Sequence, residues 1–334
     1  MAPTVSVIIC AYTELRWTQL CDCVESVRRQ TLSAHEIILV IDHNERLLAR
    51  ARAQFGDARV IPNQQRQGLS GSRNTGIAAA SGELVAFLDD DGVIIPRWLE
   101  LLCACLEDPS VLGAGGAITP LWEGQQPGWF PEEFFWTVGC TYKGQPGERQ
   151  AVRNLWGAIC LRRAIFETVG GYSVGVGRVG VKPLGDEDTE FCIRAGMRWP
   201  QARWMYEPAA VMAHWVPENR ARWKYFCSRC YHEGISKSVI SRLVGRDRGL
   251  AEERHYTLFL LPRAVARGLI GPLRGDFSGP LRAGAIVIGL WLTVLGYVVG
   301  SFTASPVAPA TAPGDNQIPS APLAARHAQP DAFE

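Results

Sequence analysis

The chain has 334 residues, a formal net charge of +1 and 10 cysteines. Its length suffices for one large domain or two modest ones, and its near-neutral charge excludes a strongly basic nucleic-acid-binding protein. We find no cleavable signal before the first apolar run, so we expect reduced, cytosolic thiols rather than disulfides.

The first hundred residues alternate between short apolar runs and helical patterns. Such alternation predicts parallel βαβ units wound into an α/β sheet. The second apolar run ends at Asp42, a polar residue at the expected carboxyl edge of that sheet. The predicted strands are residues 5–9, 36–41, 60–61 and 84–88, and the predicted helices are residues 15–30 and a segment containing Leu47, Leu48 and Ala51.

A stretch rich in small residues, Gly68 to Gly76, follows the third predicted strand. We expect it to form a loop that leads into a short alanine-rich helix, Ile77 to Ala80. Glycine backbone and a helix N-terminus suit a phosphate group, and Arg73 can offer two parallel hydrogen bonds to it. The alternative is an ordinary loop with a solvated arginine.

The apolar run Leu84 to Leu88 predicts a central strand and ends in three consecutive carboxylates, Asp89, Asp90 and Asp91. Parallel sheets bind ligands just beyond their strand ends. Adjacent carboxylates repel one another unless a cation neutralises them, and Mg²⁺ or Mn²⁺ prefers oxygen ligands. From these residues alone, a metal site and an acidic turn capping the next helix, near Trp98, both remain open.

A second acidic group, Glu187 and Asp188, opens a pattern with apolar residues at helical spacing. Carboxylates in the first turn of a helix are favoured by its dipole, so a well-capped helix is one interpretation. The other is a catalytic base, because a metal site and a separate carboxylate together can activate a hydroxyl nucleophile. His214 ends a later apolar run, and by itself it is more typical of a structural histidine.

Near its end the chain has an uncharged apolar segment, Ala283 to Phe302, of about twenty residues, which is long enough to span a bilayer. The arginines that precede it predict a cytoplasmic catalytic part by the positive-inside rule. The segment before it, Tyr256 to Ile270, suits either the membrane interface or a helix packed on the catalytic part. The Pro-, Ala- and Ser-rich tail is typical of disorder.

In their order, these motifs resemble the family 2 glycosyltransferases with the GT-A fold, an α/β nucleotide-diphospho-sugar transferase fold with a mostly parallel central sheet. The resemblance extends from Val5 to about Lys237 and implies a catalytic domain over residues 1–240. We expect an interfacial helical segment at 241–282, a transmembrane helix at 283–303 and a disordered tail at 304–334. The resemblance is carried by Ala11-Tyr12, the strand that ends at Asp42, Arg73-Asn74-Thr75-Gly76, Phe87-Leu88 with the three aspartates, Glu187-Asp188 and His214.

The resemblance implies an inverting, metal-dependent enzyme that moves one sugar from a UDP-sugar to a polyprenyl-phosphate-linked sugar or another membrane glycan. Asp188, beside Glu187, would be the general base, and Asp91 with His214 would hold Mg²⁺ or Mn²⁺. Arg73 would contact the diphosphate. The residues implied to bind the nucleotide sugar are Ala11, Tyr12, Glu14, Asp42, Arg73, Asp89 and Asp90.

A narrower resemblance is to the glucosyl-dolichyl-phosphate glucuronosyltransferases, and it suggests UDP-glucuronate by analogy only. The segment Asn219 to Trp223 resembles a motif of processive polysaccharide synthases, but a single membrane helix favours transfer of one sugar. The alternatives are another nucleotide sugar in cell-surface polysaccharide synthesis, a metal-dependent phosphoryl transferase or nuclease, and a silent nucleotide-sugar-binding module. The segments that carry the narrower resemblance are 40–44, 68–74, 139–142 and 229–234.

Overall fold

The computed structural model describes residues 3–174, 187–244 and 255–303, so the predicted disordered tail lies outside the described residues, as does part of the predicted interfacial segment. The described part contains one large mixed sheet flanked by helices. The strands are β1 (Val5–Ala11), β2 (Glu36–Ile41), β3 (Arg59–Pro62), β4 (Leu84–Asp89), β5 (Gly92–Ile94), β6 (Val111–Trp122), β7 (Gln150–Val152), β8 (Ile159–Arg162) and β9 (Arg203–Val216). The helices are α1 (Trp17–Arg28), α2 (Glu45–Gln54), α3 (Leu69–Ala79), α4 (Trp98–Cys105), α5 (Ala164–Val169), α6 (Glu187–Arg198), α7 (Trp223–Val244), α8 (Leu261–Ile270) and α9 (Gly279–Thr303).

The first four strands form the parallel half of the sheet, in the order β3-β2-β1-β4. Their central residues are mostly apolar because both faces of this half of the sheet are buried in cores. Alternate residues of β1 enter different cores: Val7 and Ile9 pack on one face, and Ile8 packs on the other with Phe87 of β4. This half of the fold confirms the prediction of parallel βαβ units.

The second half of the sheet is mixed and brings the end of β4 to β9. β8 pairs antiparallel with β4 and with β6, β9 pairs parallel with β6, and β7 pairs with β9. The short strand β5 leaves β4 after the acid triplet and pairs antiparallel with β9, with Gly92 opposite His214. This crossing places the triplet between the two halves of the sheet.

The segment from Gly68 to Gly76 corrects one prediction, because α3 begins at Leu69 and occupies nearly all of the expected loop. Gly68 precedes it with φ of 128°, a conformation that favours glycine. A Cβ at Gly71 would lie 2.0 Å from the carbonyl oxygen of Arg66, and one at Gly76 would lie 2.6 Å from Ile8. The glycines are therefore required by close packing of a helix rather than by the flexibility of a loop.

The C-terminal helix α9 packs along α7 at glycine positions. A Cβ at Gly296 would lie 1.9 Å from the carbonyl oxygen of Tyr231, and one at Gly234 would lie 2.0 Å from that of Thr293. The opposite side of α9 exposes large apolar side chains, including Trp291 at 61%. By length and composition alone, α9 is the one helix of the described part that is able to cross a bilayer. α7 continues to Val244, beyond the predicted domain boundary at residue 240.

The segment from Tyr256 to Ile270 has one face on the catalytic part and one exposed face. The Tyr256 hydroxyl donates to the carbonyl oxygen of Glu133 at 2.6 Å, and Arg267 lies 2.9 Å from the Glu133 carboxylate. On the other side, Leu258 and Leu269 are exposed. The segment therefore packs on the catalytic part with one face, and its location at the membrane interface stays a prediction.

Candidate active site

Three side chains at the junction of β4, β5 and β9 form a candidate metal site. The ligand atoms of Asp89, Asp91 and His214 all lie within 4.8 Å of one another. Nε2 of His214 is 3.2 Å from Oδ1 of Asp91, and the Trp215 amide donates to the backbone oxygen of Asp91 at 2.9 Å. Carboxylate and imidazole ligands suit Mn²⁺ and also allow Mg²⁺, so the donor set fits the predicted ion.

Arg16 lies against the same acids, although no sequence motif indicated it. It is the last residue of the short 3₁₀ turn after β1, and its guanidinium nitrogens are 2.9 Å from Asp90 and 2.8 Å from Asp91. Burial, together with the neighbouring carboxylates, raises the pKa of Asp90 to about 8. Arg16 lowers this pKa but does not cancel the rise. Among the described residues, Oδ2 of Asp90 has no hydrogen-bond partner. The site thus has unmet capacity for a cation.

Asp91 behaves differently from its neighbour Asp90. Burial opposes its ionisation, but His214 and Arg16 together outweigh that effect and hold the pKa of the Asp91 carboxyl well below its usual range. Asp91 is therefore a permanent carboxylate, which is the form that binds a metal ion.

The predicted base and the predicted phosphate ligand are in direct contact. Nη1 of Arg73, on α3, lies 2.6 Å from Oδ1 of Asp188 and 3.6 Å from Glu187, both in the first turn of α6. The Gly157 amide donates to the other Asp188 oxygen at 3.0 Å. Burial raises the pKa of Asp188, and Arg73 and Gly157 limit that rise. A buried carboxylate held by a cation and a backbone amide has the chemistry of a proton acceptor.

The residues predicted at the nucleotide end are arranged around the ends of β1 and β2. Both Asp42 oxygens accept hydrogen bonds, from Asn63 at 2.7 Å and from the Gly68 amide at 2.9 Å. Tyr12 is 44% exposed. Glu14 lies outside the cavity lining within the described part, 3.8 Å from Arg46.

One cavity of about 600 Å³ joins these groups. Apart from Glu14, every predicted site residue lines it. Sequence reasoning missed Arg16 and the role of Arg220, whose Nη1 is buried without a hydrogen-bond partner in the described part of the chain. For Arg220, the motif from Asn219 to Trp223 could have indicated a functional residue. No sequence motif contains Arg16. The predicted residues that line the cavity are Ala11, Tyr12, Asp42, Arg73, Asp89, Asp90, Asp91, Glu187, Asp188 and His214.

Comparison with known proteins identifies relatives of this sequence and fold. Residues 6–170 match the sequence model of Glycosyl transferase family 2. The glucosyl-dolichyl phosphate glucuronosyltransferase of Haloferax volcanii is 34% identical over 244 residues, which cover 72% of this chain and 78% of that protein. The amylovoran biosynthesis glycosyltransferase AmsE of Erwinia amylovora is 30% identical over 118 residues, covering 34% of this chain and 44% of that protein.

A solved structure, GalNAc-T7 with UDP, GalNAc and Mn²⁺, aligns with a TM-score of 0.49 and 18% sequence identity, over 72% of this chain and 50% of that one. The similarities in sequence and the sheet described above define an enzyme of the glycosyltransferase class with a GT-A fold. The chain belongs to Glycosyl transferase family 2.

Proposed function

We propose that this glycosyltransferase is an inverting, metal-dependent enzyme that moves one sugar from a UDP-sugar to a lipid-linked or membrane glycan acceptor. The observation that carries the proposal is the shared cavity, in which the Asp89, Asp91 and His214 group and the Arg73 and Asp188 pair line the same space. Group transfer with inversion needs these two sites on opposite sides of one anomeric carbon.

At the donor end, the chain offers both cations and carboxylates. Asp89, Asp91 and His214 would hold Mg²⁺ or Mn²⁺, which supplies charge stabilisation to a departing diphosphate. Arg220 has a buried, unpaired Nη1 on the cavity wall within the described part, so it is available to the phosphate oxygens. Tyr12 and Asp42 line the cavity and would contact the nucleotide.

At the acceptor end, Asp188 would take the proton of the attacking hydroxyl. The acceptor oxygen forms the new bond to the anomeric carbon while the bond from that carbon to the diphosphate oxygen breaks, and UDP leaves with the bonding electrons. Arg73 and the Gly157 amide hold the Asp188 carboxylate in position for this transfer. A single in-line displacement of this kind inverts the anomeric configuration.

A membrane acceptor is supported by the C-terminal helices and by a relative. α9 presents exposed apolar side chains on one side and contributes Leu290 and Thr293 to the cavity on the other. The Haloferax volcanii relative is named for a glucosyl-dolichyl phosphate substrate and for glucuronate. We therefore propose UDP-glucuronate as the first donor to test, with the catalytic domain in the cytoplasm.

The decisive experiment incubates purified full-length protein with Mn²⁺, a membrane-lipid extract and each of several nucleotide sugars. Chelator-sensitive release of UDP from one donor is the expected result, and the anomeric configuration of the product tests inversion. Release that continues unchanged with chelator would contradict metal dependence. Binding of UDP without release from any donor would favour the silent binding module.

A further inference from the structure

The helix α9 packs against the rest of the chain from its first turn to its last. A Cβ at Gly279 would lie 2.4 Å from the carbonyl oxygen of Gly268 on α8, and one at Gly300 would lie 2.4 Å from Oγ of Ser238 on α7. The guanidinium of Arg242, also on α7, donates to the Gly300 carbonyl oxygen. With 25 residues, α9 is about 38 Å long. It is therefore held over its full length and does not project from the described part of the chain.

The middle of α9 lies beside the catalytic core and the cavity. A Cβ at Gly289 would lie 2.6 Å from Phe134 and 3.0 Å from Phe226, two fully buried side chains of the main core. Leu290 and Thr293, the next residues on this part of the helix, line the same cavity as the candidate metal site. The centre of α9 is thus level with the candidate active site.

A spanning orientation would place the middle of α9 at the centre of a hydrocarbon layer about 30 Å thick. Because the packing partners of α9 move with it, α7 and the cavity would enter the hydrocarbon too. Charged side chains inside a bilayer are costly, and water does not reach the acyl chains. The packing of α9 is therefore incompatible with a spanning orientation. The charged residues of α7 are Lys224, Arg229, Glu233, Lys237 and Arg242.

The exposed side of α9 is apolar along the whole helix. The turn before α9 adds Leu273 and Phe277, which are 87% and 79% exposed. A continuous run of exposed apolar side chains over this length marks a contact surface rather than a surface that faces water. We give the name α9 apolar face to the exposed residues Val287, Ile288, Trp291, Val294, Val298 and Phe302.

The charges near the α9 apolar face suit the surface of a bilayer. Arg263 on α8 and Arg274 in the turn after it are exposed. Within residues 255–303, Asp276 is the one acidic residue, and it pairs with Arg282. In segments that lie at a membrane interface, apolar side chains enter the acyl region while arginines contact lipid phosphates. A contact between two copies would add no acid to this surface, because each copy contributes the same residues.

We propose that α9 lies in the plane of the membrane surface and that the α9 apolar face is covered by a bilayer that contains anionic lipid. The apolar side chains enter the hydrocarbon by about 5–10 Å, and both ends of α9 stay on the same side of the membrane. This orientation differs from the transmembrane helix that the sequence predicts at residues 283–303. Because Leu290 lines the cavity and its neighbour Trp291 is exposed, one helix separates the cavity from the lipid.

The first test determines on which side of the membrane the two ends of the chain lie. The full-length protein carries one epitope before Met1 and a different one after Glu334, and it is produced in bacterial cells. Protease is then added to inside-out vesicles and to intact spheroplasts. We expect both epitopes to be cleaved in the same preparation and both to be protected in the other. Cleavage of the two epitopes in opposite preparations would mean that α9 spans the bilayer, and would overturn the proposal.

The second test compares two leucines of α9 that lie about 21 Å apart along the helix, Leu281 in its first turn and Leu295 near its middle. Leu281→Glu and Leu295→Glu should each lower the partition coefficient of the purified protein onto vesicles of phosphatidylcholine and phosphatidylglycerol by about tenfold, because both positions have the same depth in an in-plane helix. A spanning helix places Leu281 near the lipid headgroups and predicts loss only for Leu295→Glu. Gln54→Glu, exposed on α2, makes the same change in charge and should have no effect.

The remaining outcomes also decide the question. A wild-type protein that does not bind these vesicles but forms a dimer, which Leu295→Glu dissociates, would assign the α9 apolar face to a second copy and overturn the proposal. If Leu295→Glu does not fold by circular dichroism, the positions of the two epitopes decide. The proposed orientation does not depend on the donor chemistry. Absence of UDP release with both epitopes on one side would remove the proposed function alone, whereas UDP release with the epitopes on opposite sides would remove the orientation alone.

Discussion

Arg73 lies 2.6 Å from Asp188, although 115 residues separate them in the chain. The contact joins α3, at the end of the parallel half of the sheet, to the first turn of α6. Because Arg73 is also the predicted diphosphate ligand, the guanidinium is shared between the proposed base and the proposed leaving group. Under the proposed mechanism, loss of the diphosphate and proton transfer to Asp188 would be electrostatically coupled through this one side chain.

The pH dependence of catalysis should report this contact. Asp188 acts as a base only when ionised, burial raises its pKa, and Arg73 lowers it. Arg73→Gln should therefore raise that pKa further and move the acid limb of the kcat profile to higher pH. The measurement is kcat against pH at saturating donor and acceptor. Arg29→Gln, at an exposed site, is the control, and an unshifted acid limb in Arg73→Gln would contradict the coupling.

Replacement of the base should separate binding from transfer. Asp188→Asn keeps the shape of the side chain but removes its ability to accept the hydroxyl proton, so kcat should fall by about 10²–10⁴-fold. UDP affinity with Mn²⁺, measured by calorimetry, should be unchanged. Asp22→Asn, on the exposed side of α1, controls for loss of a carboxylate. Full turnover by Asp188→Asn would assign the base to another residue.

The metal site predicts a different phenotype for Asp91. Asp91→Asn removes the carboxylate with the lowered pKa from the group that also contains Asp89 and His214. The gain in UDP affinity that Mn²⁺ provides should disappear, so that affinities with Mn²⁺ and with chelator become equal. Asp57→Asn, an exposed surface change, should keep the gain. A persistent Mn²⁺ effect in Asp91→Asn would refute this ligand assignment.

The parallel half of the sheet was predictable because its strands are short, mostly apolar runs, and the acids Asp42 and Asp89 follow directly at strand ends. The sequence also placed Asp188 on the first turn of a helix, which α6 confirms. It did not predict α3, because helix packing and loop flexibility both require glycine and the pattern alone does not distinguish them. Gly71 and Gly76 are needed for close approach.

Residues that act through long-range contacts were less accessible from the sequence. Arg16 reaches Asp90 and Asp91 from the turn after β1, and nothing in its local pattern differs from a surface arginine. The role of such a residue depends on which helices and strands pack together. Local sequence patterns do not predict those tertiary contacts.

Membrane association should depend mainly on the exposed side of α9. In a bilayer centre a charged residue costs about 2.5–3.5 kcal/mol, so Trp291→Glu combined with Val294→Glu should release the protein from lipid vesicles in a sedimentation assay. Leu269→Glu combined with Leu273→Glu, on the exposed side of α8 and the turn after it, should only weaken binding. Lys224→Glu makes the same change in net charge and is the control. Equal release by both pairs would mean that the two surfaces anchor the protein together.

The close contacts between α7 and α9 at glycine positions can be tested by alanine substitution. The helix α9 contains both a test position, Gly296, and a control position, Gly284. Gly296→Ala would bring a Cβ to 1.9 Å from the Tyr231 carbonyl oxygen, so the helices must separate, with a loss of about 1–3 kcal/mol in unfolding free energy. A Cβ at Gly284 would meet no atom of the described residues within 4 Å, and Gly284→Ala should gain up to about 1 kcal/mol from helix propensity.

Thermal unfolding in detergent measures both changes, and their opposite signs distinguish packing from propensity. Because Leu290 and Thr293 of α9 line the cavity, separation of the helices should also raise the KM for a lipid-linked acceptor while the KM for the donor stays constant. If both alanine variants stabilise the protein equally, α9 does not pack on α7 at Gly296. In that case α9 would not supply a wall to the acceptor side of the cavity either.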